Sequence, residues 1–363
     1  YHYKAGFNLN KIFQCINDRL NLSEAIAFAT KKRVPVFYGT VWYYLGGISL
    51  FLFATQLVTG ILLILYYQPG STTAFESVKF IVSKVEFGWL IRELHSWSAN
   101  LFILFVFAHM FTVFFAKAYR KPREMTWISG MILLVLGLAF GFSGYLLPWN
   151  ELAYFATKVG SDIAGAVPWV GEFLLQVLRA GDEVTGATLT RFYGIHIAVL
   201  PGIFTIILAF HLMLVQIQGM SVPPEIEKLP EEKRQTIPFF PDFVLRDFMV
   251  WLIVLNVVAL LAVFFPWELG NKADPLAPAP AGIRPEWYFM FMFQTLKLIP
   301  AHVFFLEGEL FGILLFSIGG LIWFFVPFLD KKAHKGIRSK FWTWFGILLI
   351  IYMIILTIWG YLV

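Results

Sequence analysis

Seven runs of mostly apolar residues dominate the chain, at about 38–67, 90–116, 125–147, 190–216, 243–266, 309–329 and 341–362. Each is long enough for a helix to cross a bilayer, and a backbone in lipid satisfies its hydrogen bonds within such a helix. Composition agrees: 59% of residues are hydrophobic, 14% are charged and the mean hydropathy is +0.72, whereas roughly a quarter of a soluble domain is charged. The expected class is therefore an all-α integral membrane protein with seven transmembrane helices. The chain begins at Tyr1 without an initiator Met or a cleavable apolar leader, so a trimmed start is expected.

Basic residues in short loops set orientation. Lys4, Lys11, Arg19, Lys31, Lys32 and Arg33 precede the first run; Lys117, Arg120, Lys121 and Arg123 separate the second from the third; Lys331, Lys332, Lys335, Arg338 and Lys340 separate the sixth from the seventh. All three groups fall on one side, expected to be the cytoplasm, with the N-terminus there and the C-terminus outside. The fourth connection mixes Glu225, Glu227, Glu231 and Glu232 with Lys228, Lys233 and Arg234, and acidic residues carry little weight in this rule. A bacterial cytoplasmic membrane is the expected location, lipid the surroundings, and no nucleic-acid partner is expected.

Composition breaks at GMSVPPEIEKLPEEKRQTIP, residues 219–238, which divides the chain into 1–218 with four spans, a linker at 219–242, and 243–363 with three. Ahead of the first span, Phe13, Ile16, Leu20 and Ile26 recur at helical spacing, as expected of a helix lying in the cytoplasmic interface. The connection at 148–189 is long and half apolar, and long ordered connections carry function. The next outer connection opens Pro-rich, ADPLAPAPAG, and continues into an amphipathic stretch, RPEWYFMFMFQTLKL. A single cysteine, Cys15, excludes both a disulfide framework and a C-x-x-C-H haem attachment.

Four histidines lie inside the spans: His95 and His109 in the second, His196 and His211 in the fourth. At 100° per residue the members of each pair lie about 40° and about 60° apart around their helices, and roughly 21 to 22 Å apart along them. Both helices run from outside to inside, so His95 meets His196 near the outer surface and His109 meets His211 near the inner one. A lone intramembrane histidine is commonly a hydrogen-bonded interior residue, but four at matched depth and face point to a site. Without thiolates or an intramembrane carboxylate cluster, the set suits bis-histidine iron porphyrin better than zinc or di-iron. Gly46 and Gly60 in the first span, and Gly130 and Gly144 in the third, repeat the 14-residue step of the second-span histidines. Bare backbone there would admit two porphyrins; glycine in spans also serves helix–helix contact.

These residues, together with GYLLPWNELAYFATKVG at 144–160, KPRE at 121–124, TRFYGIH at 190–196 and PEWY at 285–288, resemble cytochrome b, the quinone-reacting subunit of Rieske/cytochrome b complexes, from about residue 10 to 355. The 14 residues between His196 and His211, and the three spans after the break, are similar to the chloroplast and Gram-positive branch, with its separate subunit IV fused here. The resemblance implies a di-haem four-helix bundle plus three further spans, and two non-covalent b-type haems. It also implies quinol oxidation at an outer site, electron transfer across the membrane to a cytoplasmic-side quinone, and proton translocation. A Rieske iron–sulfur protein, a c-type cytochrome subunit and a second copy in a homodimer are the implied partners, and menaquinone is the expected quinone. Glu286 is the implied general base, with Pro285, Trp287, Tyr288 and Tyr145 around it; taken by itself, PEWY also reads as a turn with interfacial aromatic anchors. Arg92 and Arg123 are placed to pair with haem propionates, or to snorkel.

Three departures from the branch matter. Tyr44 occupies the position of its covalent-haem cysteine, so a covalent third haem is not expected, and Cys15 lies outside the span. Gln216 and Ile217 replace its basic pair after the last histidine, while Arg246 and Asp247 match the basic–acidic pair of mitochondrial-type members. Ala156 stands where many members have Gly, which predicts weak sensitivity to inhibitors that need that Gly. The competing readings are a di-haem membrane anchor of a hydrogenase, formate dehydrogenase or nitrate reductase, and a transporter with histidines along a proton path.

Overall fold

Among the described residues, six helices are long and apolar enough to cross a membrane: Thr40–Ile64, Gly88–Phe115, Glu124–Leu146, Gly186–Gln218, Phe239–Phe264 and Lys340–Leu362. A shorter apolar helix, Gly308–Phe324, takes the sixth place in the order and completes seven. The computed structural model describes residues 9–337 and 339–363; Lys4, His2 and Arg338 lie outside them. The sixth helix stops short of the expected residue 329 because Pro327 has no N–H to continue the ladder, and Val326–Leu329 forms a separate turn.

The fourth span begins earlier than its apolar run. Thr185 caps it, its hydroxyl accepting from Ala187 N–H at 3.3 Å while its own N–H donates to Thr188 Oγ1 at 2.9 Å. Around His196 this helix widens into a π-turn, Ile195–Val199, in which Leu200 N–H donates to Ile195 O, five residues back. Pro201, which cannot donate to Ile197 O, favours such a turn.

The interfacial segment is two helices, Leu9–Leu20 and Leu22–Lys31, where one was expected. Asn21 divides them at φ 48°, a left-handed conformation that Asn tolerates. The expected linker is also more structured than its composition suggests: Thr236–Pro238 pairs antiparallel with Arg33–Pro35.

Side chains tie the connections together at each end. At one end Arg120 donates to Val222 O and pairs with Glu227, Arg123 donates to Gln218 O and Gly219 O, and Tyr119 donates to Asp330 Oδ2 at 2.8 Å. These bonds gather the second, fourth and sixth connections on the side of the interfacial helices. At the other end Lys272 pairs with Glu76, Asn150 bridges to Lys272, and Tyr67 donates to Leu147 O. There the outer connections carry the helices Ala74–Lys84, Glu151–Gly165, Gly171–Arg179 and Trp287–Leu298. Buried Arg179 locks two of them together through Ser161 Oγ, Lys158 O and Asp162 Oδ1, each at 2.7 Å.

The bundle's middle is packed with rings. Phe53, Phe102 and Phe204 are buried in one cluster, with Phe53 and Phe204 centroids 4.3 Å apart and Phe102 against Gly137. In sequence Phe53 lies midway between Gly46 and Gly60, Phe102 midway between His95 and His109, and Gly137 midway between Gly130 and Gly144. The four elements thus contribute to a plug between two levels.

Candidate functional site

Each of the four glycines faces a different histidine. A Cβ built on Gly60 would lie 3.4 Å from His95 Cε1, on Gly46 3.2 Å from His109 Cε1, on Gly144 2.7 Å from His196 Cε1, and on Gly130 3.3 Å from His211 Cε1. The first spanning helix therefore flanks the second, and the third flanks the fourth, with bare backbone at both levels. At the outer level the His95 and His196 ring centroids are 6.5 Å apart. Metal–nitrogen bonds of about 2 Å place coaxial imidazole centroids roughly 6 Å apart, so this pair fits one iron between its rings. At the inner level His109 lies within electrostatic reach of His211.

The ring nitrogens carry a second pattern, which sequence reasoning missed. Thr59 Oγ1 meets His95 Nδ1 at 2.9 Å, Ser143 Oγ meets His196 Nδ1 at 3.0 Å, and Ser129 Oγ meets His211 Nδ1 at 2.9 Å. Each hydroxyl sits one residue before a facing glycine and donates its own proton to its helix, to Thr55 O at 2.7 Å, Ala139 O at 2.8 Å and Thr126 O at 3.0 Å respectively. Its oxygen is left to accept, so Nδ1 carries the imidazole proton and Nε2 presents the bare lone pair that iron needs. The signal in the sequence is a Ser/Thr–Gly pair at three of the four glycine positions. Among the described residues no three His, Cys, Asp or Glu side chains gather as a bare-ion site. The donor set fits a porphyrin iron with two axial histidines.

The two expected propionate partners differ. Arg123 spends Nε and Nη2 on the carbonyls of Gly219 and Gln218, both at 3.2 Å, while Nη1 is buried without a partner among the described residues. Arg92 instead pairs with Glu93 Oε1 at 2.7 Å and donates from the same Nη1 to Trp267 O, which ties the second span to the connection between the fifth and sixth.

Beside the outer level lies a cavity of about 370 Å³ lined by Tyr145, Ala156, Gly160, Pro285, Glu286 and Phe289 among others. Among the described residues, Glu286 and Tyr145 are the only polar side chains that line it. Burial raises the Glu286 carboxyl above the ordinary glutamate range. The turn Gly141–Tyr145 of the third span works on two faces: Gly141, Phe142 and Tyr145 line the cavity, while Ser143 and Gly144 face His196. Trp287 and Tyr288, expected beside Glu286 at the substrate, lie behind the wall. The Trp287 indole donates to Asn100 Oδ1 at 2.9 Å, and the buried Tyr288 hydroxyl packs against Gly141.

At the inner end Asp247 packs against the bare backbone of Gly47, next to the glycine that faces His109, and its Oδ1 has no partner among the described residues. Tyr44 stacks on Phe243 at 5.2 Å, within electrostatic reach of Arg246. Gln216 accepts from Lys32 Nζ, and Ile217 is exposed. Cys15 is exposed, with Arg19 donating to its Sγ at 2.8 Å.

A helical membrane bundle that pairs histidines at two depths beside an apolar cavity is the architecture of a transmembrane electron carrier. Residues 31–219 match the family model Cytochrome b/b6/petB, and residues 272–363 match Cytochrome b(C-terminal)/b6/petD. The cytochrome bc complex cytochrome b subunit of Chlorobaculum thiosulfatiphilum is 49% identical over 336 residues, 93% of this chain and 77% of that protein. Cytochrome b6 of Synechococcus sp. (strain JA-3-3Ab) is 40% identical over 215 residues, 59% of this chain and 100% of its own length. Among solved structures, a chain titled "Hyperthermophilic respiratory Complex III" superposes with a TM-score of 0.84 at 30% identity, covering 96% of this chain and 90% of that one. The chain belongs to the cytochrome b family, and it is a haem-binding, multi-pass membrane subunit of a redox enzyme. The C-terminal match includes PEWY and favours this reading over a di-haem anchor.

Proposed function

We propose that the chain oxidises quinol in the outer cavity, passes one electron to a Rieske iron–sulfur protein, and sends the other across the membrane to a quinone at the inner end. His95 with His196, and His109 with His211, would hold haem iron, which would supply one-electron transfer when bound. The observation that carries the reading is the turn Gly141–Tyr145, which puts the cavity and the outer histidine level on opposite faces of the same few residues.

The protein's own groups account for the rest of the chemistry. Quinol loses two electrons and two protons. Glu286, in its carboxylate form, takes a proton from a quinol hydroxyl, and Tyr145 supplies the cavity's other hydrogen-bonding group. The apolar wall excludes water, so the proton has a defined acceptor. Proline at 285 shapes the entry to Glu286, while Trp287 and Tyr288 brace the wall from behind. Arg246 and Asp247 serve the inner quinone, which takes up protons there, and the buried Nη1 of Arg123 suits a haem propionate. For Arg92 the Glu93 pair favours a structural tie over a propionate.

Release of quinol protons outside and uptake inside makes the cycle proton-translocating. The assembly contains two non-covalent b-type haems per chain and no covalent one, a c-type cytochrome beyond the Rieske protein, and a second copy of this chain. Menaquinone is the quinone, and the N-terminus lies in the cytoplasm of a bacterial cell. Residues 1–218 form the di-haem unit, 219–242 the linker and 243–363 the three-span unit. A reduced-minus-oxidised spectrum with pyridine haemochrome quantification tests the core of this reading. Two acid–acetone-extractable b haems per chain support it, retained haem reverses the covalent assignment, and no haem at all sinks it.

A further inference from the structure

The helix Glu151–Gly165 walls the outer cavity with Ala156, Val159, Gly160 and Ile163, but the cavity's carboxyl and hydroxyl come from other elements. Glu286 precedes the helix Trp287–Leu298, and Tyr145 ends the third span. A helix beside a void lacks part of the packing that would hold it from that side. Here the hold comes from the opposite face, through Arg179, which is 3% exposed. Its Nε donates to Ser161 Oγ and its Nη2 to Lys158 O and Asp162 Oδ1, each at 2.7 Å, while Nη1 donates to Asp182 O at 2.8 Å. At 100° per residue, positions 158, 161 and 162 lie on the face of the wall helix opposite to 156, 159, 160 and 163. The helix that ends in Arg179, Gly171–Arg179, is fastened in turn to the fourth span. Thr188 Oγ1 donates to Arg179 O at 2.8 Å, and Arg191 Nη1 donates to Val177 O at 3.0 Å and to Gln176 O. His196 follows Arg191 by five residues in that span.

We infer that Arg179 is a positioning residue for quinol oxidation: it holds the cavity wall in register with the span that carries His196, and so fixes the width of the space that quinol enters. The inference rests on the reading of the outer cavity as the quinol site. A guanidinium suits the task because its planar fork reaches a hydroxyl, a carbonyl and a carboxylate of one helix at once, through charge-assisted hydrogen bonds. Without that fork the wall is free to shift toward or away from the third span, where Gly160 meets the Phe142 ring. Glu286 and Tyr145 ride on elements that Arg179 does not touch, so the groups that meet the reacting hydroxyl stay in place. Loss of Arg179 therefore weakens the grip on quinol while leaving bound quinol the same base, and the two effects separate in the kinetics.

The test is steady-state oxidation of a short-chain menaquinol by the purified, assembled complex, with a c-type cytochrome as acceptor and KM and kcat read separately. Arg179→Met is expected to raise KM for quinol by about tenfold and to change kcat by less than about twofold, with haem content as in the unaltered complex. An Arg179→Met complex whose KM is unmoved, or whose kcat falls as far as its KM rises, overturns the inference. Should that variant fail to assemble, Ser161→Ala and Asp162→Asn decide, because each removes one of the contacts that Arg179 itself makes. Both are expected to raise KM by about two- to fivefold at nearly constant kcat, and a KM unmoved in either overturns the inference. An unaltered complex that does not oxidise quinol, or one that keeps its full rate in Glu286→Gln, sinks the reading of the outer cavity itself. Active, Glu286-dependent complex with an unmoved KM in the Arg179 series sinks this inference alone.

Discussion

Gly144 approaches His196 so closely that a Cβ would fall 2.7 Å from the imidazole Cε1, against 3.4 Å for Gly60 and His95. Both glycines belong to the outer level, yet only one is at the limit of contact. Gly144→Ala must push the His196 ring out of register, and the expected outcome is a complex with about half its haem, because no side chain fits where backbone approaches a ligand. Gly60→Ala, with ordinary space, keeps its full complement. Haem-to-protein ratios by pyridine haemochrome decide, and equal retention in both variants contradicts the graded cradle.

Glu286 is the cavity's carboxylate, and burial raises its pKa. As the base it must be deprotonated, so quinol oxidation rises with pH through a pKa above the usual glutamate range. Glu286→Gln is expected to lower the rate by about 10²-fold or more and to remove that limb of the profile. A variant that keeps the limb assigns it to another group.

Ala156 lines the cavity, at the position that the resemblance to cytochrome b matches to a glycine of many members. The single methyl occupies wall space, so Ala156→Gly is expected to lower the inhibitory concentration of compounds that need that glycine, with quinol turnover little changed. Tight inhibition of the unaltered protein would count against the correspondence.

Lys117 lies at the inner end with its ammonium over the Phe114 ring at 4.3 Å, and burial pulls its pKa down to about 8 despite Asp330 nearby. A lysine depressed in the fold favours the folded state at pH above its unfolded value of about 10.4, and that contribution is lost as pH falls toward 8. Lys117→Met is therefore expected to raise the thermal midpoint relative to the unaltered protein at pH 7, with the gap closing toward pH 10. A gap independent of pH points to packing instead.

Much of this architecture is legible in the sequence because it is periodic. Spans follow from runs of apolar residues, and two levels follow from the recurring 14- and 15-residue steps of His and Gly. What escapes are relations between distant residues with no shared period. Nothing in RVP at 33–35 or TIP at 236–238 announces a pairing across 200 residues, because three residues of extended chain carry no pattern. The roles inside PEWY also separate only in three dimensions: a helix starting at Trp287 turns its first two side chains away from the cavity that Pro285 and Glu286 line. The hydroxyls at 59, 129 and 143 were visible as letters, but Ser and Thr are common enough in spans that only contact with a ring gives them meaning.

The small strand pair has one more consequence. Between Glu227, held by Arg120, and Gln235, whose carbonyl accepts from Val36 N–H at 2.9 Å, the backbone crosses from one set of anchors to another. Cutting the peptide bond anywhere in Lys228–Arg234 leaves both new ends fastened to the same neighbours, by Arg120 on one side and by Arg33–Pro35 on the other. A chain divided at this point is therefore expected to keep, on each side of the cut, the contacts that now fasten it to its neighbours.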